Sequence, residues 1–263
     1  MPAETLYLYG LLVNVSAADW HMEGIDGNSV FALTEGALAA LVHNHKLEEN
    51  LHLPRGAAEV KRQVTLHNEV LCKAMGDFGT VIPLKFGTLI VGKGGRSASE
   101  NLRGWMKENR ELLEKTWGIV KGKREYGIRI YCQRKRLESE SGKDDELDAI
   151  RSDIRRRGAG LAYLLGKKLE IRAAELLLAK INHYTDYFYG RLEGVTRHIV
   201  VNKSRLAINR EEDLLLNVSV LVDGEEAGLV TECLGMCAEK GFSYSVAGPF
   251  PPYSFVEQGQ LVK

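Results

Sequence analysis

Glu125-Tyr-Gly-Ile-Arg-Ile-Tyr-Cys-Gln133 is the stretch on which the fold turns. Ile128, Ile130 and Cys132 alternate with Arg129, Tyr131 and Gln133, the period of two that marks a strand with one buried face. Downstream, Gln133 to Asp148 is polar and charged and reads as an exposed loop leading into a helix. From Asp144 to Tyr189 the composition is helical throughout, although Gly158, Gly160 and Gly166 argue against one straight helix. Arg197 to Lys203 and Asp213 to Val222 read as strands. Glu225 to Lys240 reads as a helix with Val230, Leu234 and Cys237 inward and Gly241 as its stop. Phe242 to Ala247 closes the series as a strand. Residues from about 123 to 248 therefore run β-α-β-β-α-β, the split βαβ or ferredoxin-like order. Right-handed crossovers then put both helices on one face of a four-stranded sheet.

Upstream, Thr5 to Asn14 and Ala37 to Val42 read as strands flanking a loop at Gly24 to Ser29. Val60, Val64, Leu71 and Met75 recur at helical spacing between Pro54 and Gly76, which predicts an amphipathic helix from Ala57 to Met75. Thr80 to Val91 reads as an edge strand or a strand pair bent at Pro83. A helix from about Ser97 to Val120 follows, with Leu102, Trp105, Leu112, Leu113, Trp117 and Val120 on its packed stripe. The expected class is α+β in two domains: residues 1–121, an α+β domain with a trailing helix, and residues 122–263, a ferredoxin-like domain with a long helical insertion and a C-terminal tail rich in Pro and aromatics.

Composition narrows the function classes. The 263 residues hold 35 Lys+Arg against 35 Asp+Glu, so no general attraction to phosphate backbones is expected. The strand Asp213–Val222 has no aromatic residue of the kind that stacks bases, which separates the ferredoxin-like order from RNA recognition. No apolar run is long enough to cross a bilayer and the first twenty residues lack a signal-peptide pattern, so a cytoplasmic protein without membrane contact is expected. Cys72, Cys132, Cys233 and Cys237 are too few and too widely spaced for a disulfide framework and read as reduced thiols.

Three strings imitate chemistry. Gly87-Thr-Leu-Ile-Val-Gly-Lys93-Gly94 matches a phosphate loop up to its last position, where Gly94 has no hydroxyl for magnesium, and its middle reads as strand. His43, His45 and His52, with Glu48 or Glu49, offer imidazoles and carboxylates but no rigid frame for a metal. His67 lies on the apolar stripe of its helix with no second ligand one turn away, the setting of a satisfied core histidine. No catalytic residue, cofactor or metal is expected. The tail Gly248-Pro-Phe-Pro-Pro-Tyr-Ser-Phe-Val256 is unlike ordinary core sequence. Pro249, Pro251 and Pro252 fix φ and remove donors, so the segment should run extended with Phe250, Tyr253 and Phe255 either offered to a partner or folded back as a lid. Tyr184, Tyr187, Phe188 and Tyr189 crowd a helix end in the manner of a seam or an interface.

Leu6-Tyr-Leu-Tyr-Gly10, His67-Asn-Glu-Val-Leu71, Val81-Ile-Pro-Leu-Lys-Phe-Gly87, Gly160-Leu-Ala-Tyr-Leu164 with Lys167 and Lys168, and the tail from Gly248 to Phe255 together resemble the gas vesicle protein F/L family. The likeness spans nearly the whole chain, with Phe250 where the family usually has Trp and Lys85 where Arg is common. It implies two α+β domains, the second ferredoxin-like, and a non-enzymatic accessory role at the gas vesicle. The implied partners are the apolar gas vesicle shell protein, of the GvpA type, and other accessory proteins, with nucleation of the shell as the task. Phe250, Tyr253, Phe255, Tyr187 and Phe188 are the expected contact residues. The alternatives of another class are a small-molecule-binding regulatory module on a ferredoxin-like domain and, more remotely, a nucleotide hydrolase using Lys93.

Overall fold

The computed structural model describes residues 4–17, 19–45, 56–203 and 212–256. The candidate ligands His52, Glu48 and Glu49 lie outside them. The chain divides into two compact units: Met1–Glu125 with Gly248–Lys263, and Tyr126–Ala247.

The first unit is built on a six-stranded sheet. Its strands are β1 (Thr5–Val13), β2 (His21–Glu23), β3 (Ser29–Glu35), β4 (Leu38–His45), β5 (Ile82–Pro83) and β6 (Leu89–Val91). They run in the order β2-β3-β4-β1-β5, with β6 also on β1. Every residue of β1 is buried, because β4 pairs along one edge while β5 and β6 pair antiparallel along the other. The bend expected at Pro83 is thus the break between two short strands. The loop expected at Gly24 to Ser29 carries a 3₁₀ turn, Ile25–Gly27, and joins β2 to β3 in a hairpin. Three helices complete the unit: α1 (Ala57–Phe78), α2 (Ala98–Glu108) and α3 (Arg110–Val120). α1 packs Val70, Leu71, Ala74 and Met75 into the core with Tyr7, Leu12 and Leu41. At Gly10 a Cβ would sit 2.6 Å from Leu71 Cδ2 and 2.8 Å from the Ile82 carbonyl oxygen, so the absence of a side chain there sets how closely β1 and α1 approach.

Two helix boundaries differ from expectation. α1 continues through Gly76 to Phe78 and stops at Gly79, whose φ of 78° takes the left-handed conformation. A glycine inside a helix costs about 1 kcal/mol, which the packing of Phe78 against the core offsets. The helix expected over 97–120 is two helices, broken at Asn109 (φ −103°, ψ 14°). Ser97 starts α2 with a reciprocal capping box, accepting from the Glu100 amide while the Glu100 carboxylate accepts from the Ser97 amide.

The second sheet has the strands β7 (Arg124–Cys132), β8 (Ile199–Val201), β9 (Asp213–Val222) and β10 (Ser243–Phe250), in the order β10-β7-β9-β8. β9 lies between β7 and β8, and β7 lies between β9 and β10, so each crossover spans one strand, as the split βαβ order requires. The helices are α4 (Arg134–Ser141), α5 (Asp145–Arg156), α6 (Ala159–Glu193) and α7 (Gly224–Glu239). Ile128, Ile130 and Cys132 meet Leu216, Val218, Val220 and Val222 on one sheet face. Leu177, Phe188 and Leu192 of α6 and Val230, Leu234 and Cys237 of α7 cover that same face. Gly241 (φ 75°) follows α7 as expected.

The exposed loop expected over 133–148 is a correction: α4 forms there. Leu137 anchors it in the core, and Arg134–Glu138 and Arg136–Glu140 pair along it at i,i+4. The break in the long helical stretch falls at Arg157 and Gly158, so Gly160 and Gly166 sit inside α6. Among the described residues, no helix is long and apolar enough to cross a membrane.

By its contacts the first unit extends to Glu125 and the tail from Gly248 groups with it. The physical reason is that Pro251, Pro252 and Val256 are buried and Ser254 is bonded to Glu125, all within the first unit.

Candidate functional site

The densest set of polar aromatics in the first unit is buried. Tyr7 and His43 are register partners across β1 and β4, and their rings stack with centroids 5.0 Å apart. A bulge between Leu8 and Gly10 leaves Tyr9 without a partner in the pairing with β4, and its ring lies 4.8 Å from that of Tyr7. His67 of α1 enters from the helix side, its ring 5.2 Å from Tyr9 and 6.5 Å from Tyr253 of the tail.

Hydrogen bonds assign the protons. The Leu84 carbonyl can only accept, so His67 Nε2–H donates to it over 3.1 Å. His67 Nδ1 then accepts from the Tyr7 hydroxyl at 2.9 Å, and that hydroxyl in turn accepts from the Gly87 amide. Tyr9 repeats the pattern: its hydroxyl accepts from the Ile25 amide and lies 2.9 Å from His43 Nδ1. Among the described residues, His43 Nε2 is buried without a partner. Burial disfavours the charged forms, lowering both histidines to about 4 and raising Tyr9 to about 12 and Tyr7 further still. At neutral pH the cluster is four uncharged rings. What it can do chemically is hold β1, β4, α1 and the segment after β5 in one place.

The tail completes this cluster. A short 3₁₀ turn, Tyr253–Phe255, brings the Tyr253 hydroxyl 3.3 Å from Asn68 Oδ1, to which it donates, and burial raises the phenol. The Ser254 amide and hydroxyl donate to the two carboxylate oxygens of Glu125 at 2.8 and 2.6 Å. Phe250 and Phe255 are half-buried, as is Tyr253. Of the two arrangements open in the sequence, the structure has the tail folded back. In the second unit, Phe188 is only 2 % exposed and packs edge-to-face on Phe242 at 5.0 Å, so it is a core residue. Tyr187 is half-buried beneath Lys240 Nζ, 5.1 Å from its ring centre. Of the five expected contact residues, Phe188 and Tyr187 thus belong to the core cluster of the second unit and Tyr253 to that of the first.

The other imitations of chemistry resolve into structure. β6 occupies Leu89–Val91 inside the phosphate-loop-like string, and Lys93 bridges back to Arg96 across Gly94 and Gly95, both at positive φ. β4 extends through His45 and draws His43 into the core. Among the described residues, no group of three or more His, Cys, Asp or Glu side chains is placed to hold a metal ion.

The exposed groups that sequence reasoning passed over are apolar. On α6, Leu161, Tyr163, Leu164, Ile171 and Leu178 face solvent, and on β10 so do Tyr244 and Val246. The signal for α6 was present in sequence as Leu164, Ile171 and Leu178, one every seven residues, on a helix whose other face carries Leu177, Tyr184 and Phe188.

Fold and surfaces together define an α+β protein of two units, one a split βαβ unit enlarged by helices, with a buried, uncharged Tyr–His cluster in the first unit and exposed apolar side chains on α6 and β10. The model of the gas vesicle synthesis protein GvpL/GvpF family matches residues 5–257, and the chain belongs to that family, with a role associated with gas vesicles. It is 25 % identical to gas vesicle protein L of Haloferax mediterranei over 91 % of this chain and 74 % of that protein. It is 24 % identical to gas vesicle protein L1 of Halobacterium salinarum over 95 % and 89 %. The crystal structure of gas vesicle protein GvpF from Anabaena sp. superposes with a TM-score of 0.76 at 18 % identity, covering 97 % of this chain and 98 % of that one. GvpF from Microcystis aeruginosa gives 0.68 at 17 % identity, over 96 % and 99 %. These likenesses establish the shared fold.

Proposed function

We propose that this protein is a non-enzymatic assembly factor that binds the apolar gas vesicle shell protein and helps nucleate the shell, alongside other accessory proteins. A subunit with a strongly apolar face aggregates before assembly unless that face is covered or delivered to a growing edge. The observation that carries the reading is β10. Among the described residues it ends its sheet, with Ser243 to Pro249 exposed and Tyr244 and Val246 standing out of it. An unpaired strand edge bearing apolar side chains suits capture of an extended apolar segment by strand addition.

Capture of purified shell protein by this chain, without nucleotide, tests the proposal. Val246→Lys with Tyr244→Lys should reduce capture while the circular dichroism spectrum stays unchanged. Equal capture by that variant would remove β10 as the contact, and no capture by the wild type would remove the reading itself. Phe250, Tyr253 and Phe255 are assigned here to closing the first unit. Their replacement by alanine should lower stability, and capture should fall only as folded protein is lost.

A further inference from the structure

α6 is apolar on two faces, and the unit uses one of them. Leu177, Phe188 and Leu192 are buried against the sheet. On the opposite side Leu164, Ile171 and Leu178 are between 58 and 63 % exposed, with Leu161 and Tyr163 beside their N-terminal end. Seven-residue spacing keeps the three in one line along the helix, and Leu161 to Leu178 spans about 26 Å at the α-helical rise. A line of exposed large apolar side chains, with Lys167, Lys168 and Glu175 interleaved along it, marks a contact surface.

The line is self-complementary about Ile171. Leu164 precedes it by seven residues and Leu178 follows it by seven. Lys167 precedes it by four and Glu175 follows it by four. Lys168 and Ala174 stand three residues to either side, and Glu170 and Arg172 stand one to either side. Across a two-fold axis at Ile171, an antiparallel second copy therefore places Ile171 on Ile171, Leu164 on Leu178 and Lys167 beside Glu175, each hetero-pair occurring twice. Within one chain Lys167 pairs with Glu170 and Glu175 with Arg172, exposed i,i+3 pairs that are of low worth and exchange readily.

We propose that the outer face of α6 is a homodimer interface in which two copies of this chain pair antiparallel about Ile171. The symmetry is isologous, so the interface closes at two copies. A seam of one helix face makes the expected dimer reversible and dependent on concentration. The proposal is independent of strand addition at β10 and uses a different surface.

The test is sedimentation equilibrium of the full chain through the micromolar range, with oxidative cross-linking of Ile171→Cys. Only a residue on the axis meets itself, so Ile171→Cys should form a covalent dimer far faster than the wild-type chain, whose Cys72 and Cys233 provide the background. Leu164→Cys should cross-link only when mixed with Leu178→Cys. Ile171→Glu should weaken the dimer by more than about tenfold, since it puts two carboxylates at the centre of the seam. Lys167→Glu or Glu175→Lys alone should weaken it, and the two together should restore it. A chain that stays monomeric, a dimer indifferent to Ile171→Glu, or cross-linking at Ile171 no faster than background would each overturn the proposal. Loss of shell-protein capture by Ile171→Glu in a monomeric wild type would likewise overturn it, in favour of the shell protein as occupant of this face.

Discussion

β1 and β10 are strands of nearly equal length with opposite fates. All nine residues of β1 are buried, whereas along β10 only Phe250, the last of eight, is even half-buried. Both carry apolar side chains, Leu6-Tyr-Leu-Tyr in one and Tyr244 and Val246 in the other. The difference lies in neighbours. β1 is paired on both edges and covered by α1, while β10 ends its sheet. Burial in these two strands is therefore decided by position in the sheet more than by the hydrophobicity of the strand.

The sharpest way to break the comparison is to truncate both strands alike. Leu12→Ala should cost about 2–5 kcal/mol because it removes buried methyls and leaves a cavity. Val246→Ala should stay within about 0.5 kcal/mol, as substitutions at exposed sites do. Urea denaturation midpoints for the two variants measure the contrast, and equal losses would contradict the assigned burial.

The second test concerns what the burial around β1 does to charge. His43 and His67 are held neutral, with pKa values near 4 in place of about 6.5. The unfolded chain therefore binds more protons than the folded one between these values. Stability should be fully present above pH 6.5 and be lost as pH falls toward 4, by roughly 3 kcal/mol per histidine. NMR titration of the two imidazoles should give midpoints well below 6, and ordinary midpoints near 6.5 would break the account. The β10 region has no such group and should show no matching pH response in hydrogen exchange.

The smallest expected effects sharpen the role of the tail. Ser254→Ala removes one donor to Glu125, a carboxylate only 6 % exposed, and should cost about 1–3 kcal/mol. Tyr253→Phe keeps the ring against His67, loses only the hydrogen bond to Asn68, and should cost about 1 kcal/mol. Thermal midpoints resolve both, and the order Ser254→Ala above Tyr253→Phe is part of the prediction.

Much of the fold was legible in particular residues. The alternation at Ile128, Ile130 and Cys132 marks β7, the spacing of Val60, Val64, Leu71 and Met75 marks α1, and Gly241 marks the end of α7. The elements that escaped lack a local signal of their own. α4 is almost wholly polar, and its single buried leucine becomes decisive only once the sheet is there to receive it. β2 is three residues long and half of a hairpin that exists because β4 supplies the other edge of β3. The candidate site was legible as a set of residue types and illegible as a place. The prolines of the tail predict that it cannot continue the sheet, yet β10 runs through Pro249 to Phe250 before the chain leaves it, and nothing local showed that Ser254 would find Glu125, 129 residues away in sequence.

By itself the sequence determined the α+β class, the split βαβ order, the near absence of net charge and the resemblance that the family match established, because these rest on periodicity, composition and short motifs. Only the tertiary structure decided that the tail belongs to the first unit, that Phe188 is core, that His43 and His67 are neutral, and which face of α6 stays open. Each of these depends on which distant residues arrive at the same point, and desolvation and packing act through that arrival, which no local pattern in the chain encodes.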